Sequence, residues 1–116
     1  MKEYAYLMFD PLSKLCKIGR GNNPPVRYLT ARVFNPRIYL LWFSSGKSER
    51  ELHDKYSAKR IELEWFDLTI KDIVEITEIE NLTFDNILKN KKHEEVEASL
   101  LKDFDIPKDI KDALPF

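Results

Sequence analysis

Apolar positions near the N-terminus come in two short blocks. Residues Tyr4–Phe9 and 15–19 read as strands, and Asp10, Pro11, Leu12 and Ser13 between them begin with turn-forming residues, which predicts a hairpin with a four-residue loop. Pairing Phe9 with Lys14 across that loop sets Met8 opposite Leu15, Leu7 opposite Cys16 and Tyr6 opposite Lys17. After a loop at 20–23, Asn23 is placed to cap a helix with Pro24 at its first position and Val26, Leu29 and Val33 as its apolar stripe. Residues 37–44 are apolar almost throughout, as expected of a central strand covered on both faces.

Gly46 and Lys47 break that run, and Ser48 with Glu51 three residues on is a capping-box pattern. The helix it opens carries Glu49, Leu52, His53 and Tyr56 on one face, so Glu49 should point inward while Glu51 serves the cap. Residues 64–68 read as a short extended segment, and Thr69 with Asp72 opens another capped helix bearing Ile70, Ile73 and Val74. Two stripes out of register, one of Phe84, Ile87 and Leu88 and one of Val96, Leu100, Leu101 and Phe104, predict two short helices broken at 90–93. The expected fold is α+β: a small three-stranded antiparallel sheet flanked by helices over residues 1–80, with an acidic helical extension over 81–116.

With 116 residues, 43% hydrophobic and 12% aromatic, the chain is one domain by length and has apolar mass enough for a core. The N-terminus lacks the apolar region of a secretory signal, and Cys16 is the only cysteine, so neither a disulfide framework nor a cysteine zinc cluster is available. A soluble, cytoplasmic protein without membrane contact is expected, with Cys16 as a small buried hydrophobe. Charge changes the picture more: residues 1–60 carry 12 Lys and Arg against 5 Asp and Glu, whereas 61–116 carry 7 against 15. A basic half suits a polyanion, since each phosphate contact releases a condensed counterion, and Arg20, Arg32 and Lys47 are candidate contacts.

Five pieces follow in order: Tyr4-Ala5-Tyr6, Lys17-Ile18-Gly19, Asn23-Pro24-Pro25-Val26-Arg27, Glu49 with Leu52-His53, and Glu64-Trp65-Phe66. Together, over residues 4–68, they resemble the GIY-YIG endonuclease superfamily in its phage-type branch. That resemblance implies hydrolysis of phosphodiester bonds, with the first-motif tyrosine at Tyr6, the arginine at Arg27 and the metal-binding glutamate at Glu49. Tyr4 and Ala5 stand where the family has Gly and Ile, and Lys17 replaces its second tyrosine.

The residue types suit that chemistry. Glu49 supplies a hard oxygen for one Mg²⁺ or Mn²⁺, and Arg27 a planar cationic fork for phosphate oxygens. Tyr6 would orient or deprotonate the attacking water, but a phenol is only about 0.1% ionised near neutrality, so a facing Lys17 ammonium should assist it. His53, one turn after Glu49, and Glu64 are supporting candidates, while His93 reads as an exposed residue. The expected substrate is double-stranded DNA in a phage or mobile-element setting, with site selection from the core, from dimerisation or from a protein partner. Two other readings follow from the same features: a lapsed nuclease that binds without cutting, favoured by the departures at Tyr4, Ala5 and Lys17, and an interaction protein acting through its acidic half.

Overall fold

In the computed structural model, which describes residues 2–84, the first two apolar blocks form an antiparallel hairpin, β1 (Tyr4–Phe9) and β2 (Cys16–Gly21). Its loop is displaced by one residue from the expected place. Asp10 N–H donates to Leu15 C=O at 2.9 Å, extending the ladder, and Lys14 takes the left-handed conformation with φ 60°. The Asp10 carboxylate holds the turn by accepting from Leu12 N–H at 3.1 Å and Ser13 Oγ at 2.8 Å. Moving the loop by one residue moves the register by two, so Tyr6 lies opposite Gly19 and Lys17 opposite Met8. Because side chains alternate with period two, Tyr6 and Lys17 still share a face, now as diagonal neighbours.

The chain continues through α1 (Pro24–Phe34), β3 (Tyr39–Ser44), α2 (Glu49–Lys55), a 3₁₀ turn (Ser57–Lys59), β4 (Arg60–Glu62), β5 (Trp65–Phe66) and α3 (Ile70–Thr77). The sheet has five strands in the order β3-β1-β2-β5-β4, not three. The two additional strands come from residues 60–66, where three- and two-residue strands meet through Leu63 at φ 50°; β5 pairs with β2, and β4 pairs with β5 at the sheet's edge. β1, whose Ala5–Phe9 are all buried, is an interior strand between β3 and β2, and β3 is an edge strand. The unbroken apolarity of β3 reports two covered faces, not two hydrogen-bonded neighbours: Leu41 packs on one side of the sheet and Leu40 on the other.

Alternation along β1 divides the interior. Ala5, Leu7 and Phe9 meet Leu52 of α2, its C-cap Tyr56, and Ile73 and Ile76 of α3, while Tyr6 and Met8 meet Tyr28 of α1, Ile38 and Leu40. On the first side α3 is held by a full capping box, Thr69 Oγ1 accepting from Asp72 N–H at 3.2 Å and Asp72 accepting from Thr69 N–H at 3.0 Å. Burial raises the Asp72 carboxyl, but the hydrogen bonds from Lys59 and Thr69 outweigh it and hold its pKa below the ordinary 3.8.

α1 departs from expectation. Asn23 caps it, accepting from Val26 N–H, and Pro24 opens it as predicted. Its buried line, however, is Pro24, Pro25 and Tyr28 with Ala31 packed behind, and Val33 is 78% exposed. Past α3, Leu82 and Phe84 still pack on the core, the Phe84 ring stacking on Phe9 at 5.8 Å. The helices expected around 84–88 and 96–104, and His93, lie outside the described residues apart from Phe84. Among the described residues no helix is long and apolar enough to cross a membrane.

Candidate functional site

Tyr6 projects from the α1 side of β1, and the residue opposite it on β2 is a glycine. A Cβ built on Gly19 would lie 2.4 Å from both Cζ and the hydroxyl of Tyr6, so the phenol ring occupies the space a side chain at 19 would need. Two residues on, a Cβ on Gly21 would meet Cγ and Nε of Arg27 at 3.3 Å. These glycines, on one face of β2, clear a track along which Tyr6 and Arg27 lie against bare backbone. Sequence reading gave Gly19 no job beyond the motif and did not single out Gly21. The signal was there in Gly19-Arg20-Gly21, two glycines at strand spacing beside a tyrosine.

Three more charges act on Tyr6 or stand beside it. Burial raises the Tyr6 phenol above 10.0, the charge of Glu64 raises it further, Arg27 opposes them, and Glu49 again raises it. The four groups come from β1, the β4–β5 turn, α1 and α2. Arg27 is the cation that draws the phenol towards ionisation, the part expected of Lys17. Lys17 itself, opposite Trp65 on the β5 side, directs its ammonium to Glu64 at 3.7 Å, and Ile18 N–H donates to the Glu64 carbonyl at 2.9 Å.

Glu49 opens α2 behind Ser48, whose Oγ accepts from Glu51 N–H at 3.0 Å. Its side chain is 19% exposed, in keeping with an inward azimuth, and each carboxylate oxygen has a basic neighbour. Oε2 lies 3.6 Å from Nε of the exposed Arg20, which also reaches Glu3 at 3.8 Å, and Oε1 lies 3.5 Å from Nε2 of His53. His53 is anchored twice: Nε2 lies 2.8 Å from the Ile18 carbonyl, and its ring meets the Phe66 edge at 4.8 Å. With a carbonyl as partner, that nitrogen carries the proton and donates. His53 thus ties the first turns of α2 to the Lys17-Ile18-Gly19 strand.

The remaining basic candidates differ in their commitments. Arg32 folds over the Tyr28 ring at 5.6 Å and donates to the Tyr28 hydroxyl and the Pro36 carbonyl, both at 3.4 Å. Lys47 donates to the Glu75 and Ile76 carbonyls at 3.3 and 3.0 Å, closing the C-terminal end of α3. Burial pushes the Cys16 thiol up to about 12, which removes it as a nucleophile.

Among the described residues no three His, Cys, Asp or Glu side chains cluster as a metal cage. Glu49 is a single hard carboxylate, beside a polar hollow of about 230 Å³ that Glu3, Ser48 and Glu51 also line. Mg²⁺ is commonly held by one or two carboxylates with waters and phosphate oxygens completing its shell. The donor set therefore fits an ion shared with a bound phosphate, not one caged by protein alone. In comparisons with known proteins, no family model, no curated protein and no solved structure matches the chain.

Proposed function

We propose that the chain is a divalent-metal-dependent endonuclease of the GIY-YIG type that hydrolyses phosphodiester bonds in DNA. The observation that carries this reading is the convergence of Arg27, Glu49 and Glu64, from three separate segments, on the electrostatic environment of a Tyr6 hydroxyl lying over Gly19. The order of the first five elements, strand-strand-helix-strand-helix, supports this reading, although the sheet has five strands where the motif resemblance implies three.

Each residue has a definite part. Arg27, permanently charged and planar, binds two oxygens of the scissile phosphate and offsets the charge that grows as water adds to phosphorus. Tyr6 keeps its proton through the neutral range, so it orients the attacking water as a hydrogen-bonding phenol. Lys17 adds positive charge on the same face and balances Glu64. Glu49, with His53 fixing its position, would hold the divalent ion, which when bound supplies charge stabilisation for the leaving oxygen. Incubation with supercoiled plasmid should give nicked product in Mg²⁺ or Mn²⁺ and none in EDTA, whereas cutting of equal rate in EDTA contradicts the reading.

One observation favours a second reading, a fold that binds DNA without cutting it. Tyr6 is only 3% exposed, and burial is the largest influence on its phenol. Salt-sensitive DNA binding with no nicking at saturating Mn²⁺ would establish that alternative.

A further inference from the structure

The outer face of α1 has a composition that its role in the fold does not explain. Val33 and Phe34 close the helix 78% and 86% exposed, and Val26 and Leu29 on the same outer side are only half-buried. The apolar stripe read from the sequence is real but turned away from the core, because Pro24, Pro25 and Tyr28 supply the packing face. Large apolar side chains side by side in solvent mark a contact surface more often than isolated ones do.

Charge identifies the partner. Residues 11–48 contain no Asp or Glu at all, against seven Lys and Arg, and α1 lies in the middle of that stretch. Lys17, Arg20 and Lys47 are engaged by Glu64, by Glu3 and Glu49, and by the end of α3. That leaves Arg27 and Arg32 on α1 and the exposed Arg37 just past it, with no carboxylate on that helix; a polyanion gains at each of these three cations. Arg27 and Phe34 are seven residues apart, two helical turns, so they lie along one line of α1 roughly 10 Å apart. The exposed aromatic is thus aligned with the arginine that lies over Gly21.

Hydrogen bonds fix the backbone just beyond Phe34. Asn35 N–H donates to Ala31 C=O at 2.9 Å, Asn35 Oδ1 accepts from Arg37 N–H at 3.2 Å, and Ile38 N–H donates to Asn35 C=O at 3.1 Å. Ile38, 2% exposed, then anchors the turn in the α1-side core. With the backbone fixed, only the two side-chain torsions of Phe34 remain to be ordered on binding, which favours contact with a flat partner. Every nucleobase has such a face, and base stacking on aromatic side chains is sequence-tolerant.

We infer that Val33 and Phe34 form a base-contacting wedge, so that the preferred ligand is nucleic acid with unpaired bases beside a duplex, and not uniform duplex. This rests on the nucleic-acid reading above, and it specifies the substrate class of the same face.

The test is a binding titration of the full chain in EDTA. The probes are a paired duplex and the same duplex carrying an unpaired bulge that contains 2-aminopurine. The wild type should bind the bulged probe more tightly and change its fluorescence. Phe34→Ala should weaken bulge binding by about tenfold, the scale of one lost base stack, with duplex binding and the salt slope unchanged. Arg37→Ala should instead lower the slope by about one contact on both probes. Phe34→Trp should restore the bulge preference.

Equal affinity for the two probes, or a Phe34→Ala loss shared equally by both, overturns the inference. So does a Phe34→Ala shift in elution volume showing that a second copy covers the wedge. Because no cleavage is needed, the two readings separate. Nicking with no role for Phe34 removes only the wedge, and Phe34-dependent bulge binding without nicking removes only the nuclease.

Discussion

The two faces of the sheet use their polar groups differently. On the α2–α3 side the charges close on one another: Lys59 pairs with Asp72, Lys55 with Glu75, and Lys47 caps the end of α3. The packed side chains there are ordinary aliphatics and aromatics, led by Leu7, Phe9, Phe66, Ile73 and Ile76. The α1 side has a smaller core around Tyr28, Met8 and Leu40, two glycines where side chains would fit a strand, and exposed Arg27, Val33 and Phe34. One face maximises burial; the other gives up burial to hold Tyr6 and Arg27 against backbone and to present cations outward. Stability should therefore follow the packed interior of the first face and nucleic-acid contact the second, with Glu49 at the start of α2 the one proposed ligand that comes from the first.

The largest test of that division is in α3. Ile73→Ala, at a site with no exposure, should lower unfolding free energy by about 2–5 kcal/mol. Val33→Ser on α1 should change it by no more than about 0.5 kcal/mol, both measured by urea denaturation. Comparable losses at the two sites would remove the contrast.

A smaller effect is expected where the faces meet at the site. Gly19→Ala should destabilise by about 1–3 kcal/mol, the range of overpacking a filled site, because the Tyr6 ring must move. In a Tyr6→Ala background the same substitution should be nearly neutral. An additive double mutant would mean that the ring is not what Gly19 accommodates.

The smallest effect concerns the internal ion pair. Asp72 has a depressed folded pKa, so its contribution is fully present above the ordinary 3.8 and is lost as pH falls through the folded value. Asp72→Asn keeps an acceptor for Thr69 N–H and loses the charge that faces Lys59. Its melting temperature should lie below wild type at neutral pH and approach it under acid. A gap that persists below the depressed pKa would assign the loss to packing.

How much of this was legible depended on whether the signal was local. The Thr69–Asp72 capping box, the Asn23 cap before Pro24 and the inward azimuth of Glu49 were legible, because each rests on spacing within one or two turns. The hairpin register was not, since it turned on Lys14 entering a left-handed conformation that composition does not favour outside glycine and asparagine. β4 and β5 are too short for alternation to mark, and they form because β2 offers an edge. The α1 stripe was read correctly as a pattern but assigned to the wrong side, since two prolines and a tyrosine did the packing expected of Val26, Leu29 and Val33. For the site, the cast of Tyr6, Lys17, Arg27, Glu49, His53 and Glu64 was named from motif order. Which cation serves Tyr6, and what Gly21 permits, needed the register.

The most direct measurement is the initial nicking rate of supercoiled DNA at saturating Mn²⁺ for Glu49→Gln, Glu51→Gln and Glu64→Gln, with thermal melting of each alongside. Glutamine keeps shape and helix propensity while removing the charge a divalent ion needs. The account predicts that Glu49→Gln loses about a hundredfold or more while remaining folded and binding DNA. Glu51→Gln should cut near the wild-type rate, and Glu64→Gln should fall between them. Wild-type cutting by Glu49→Gln together with an inactive Glu64→Gln would contradict it and move the catalytic centre to the β4–β5 turn.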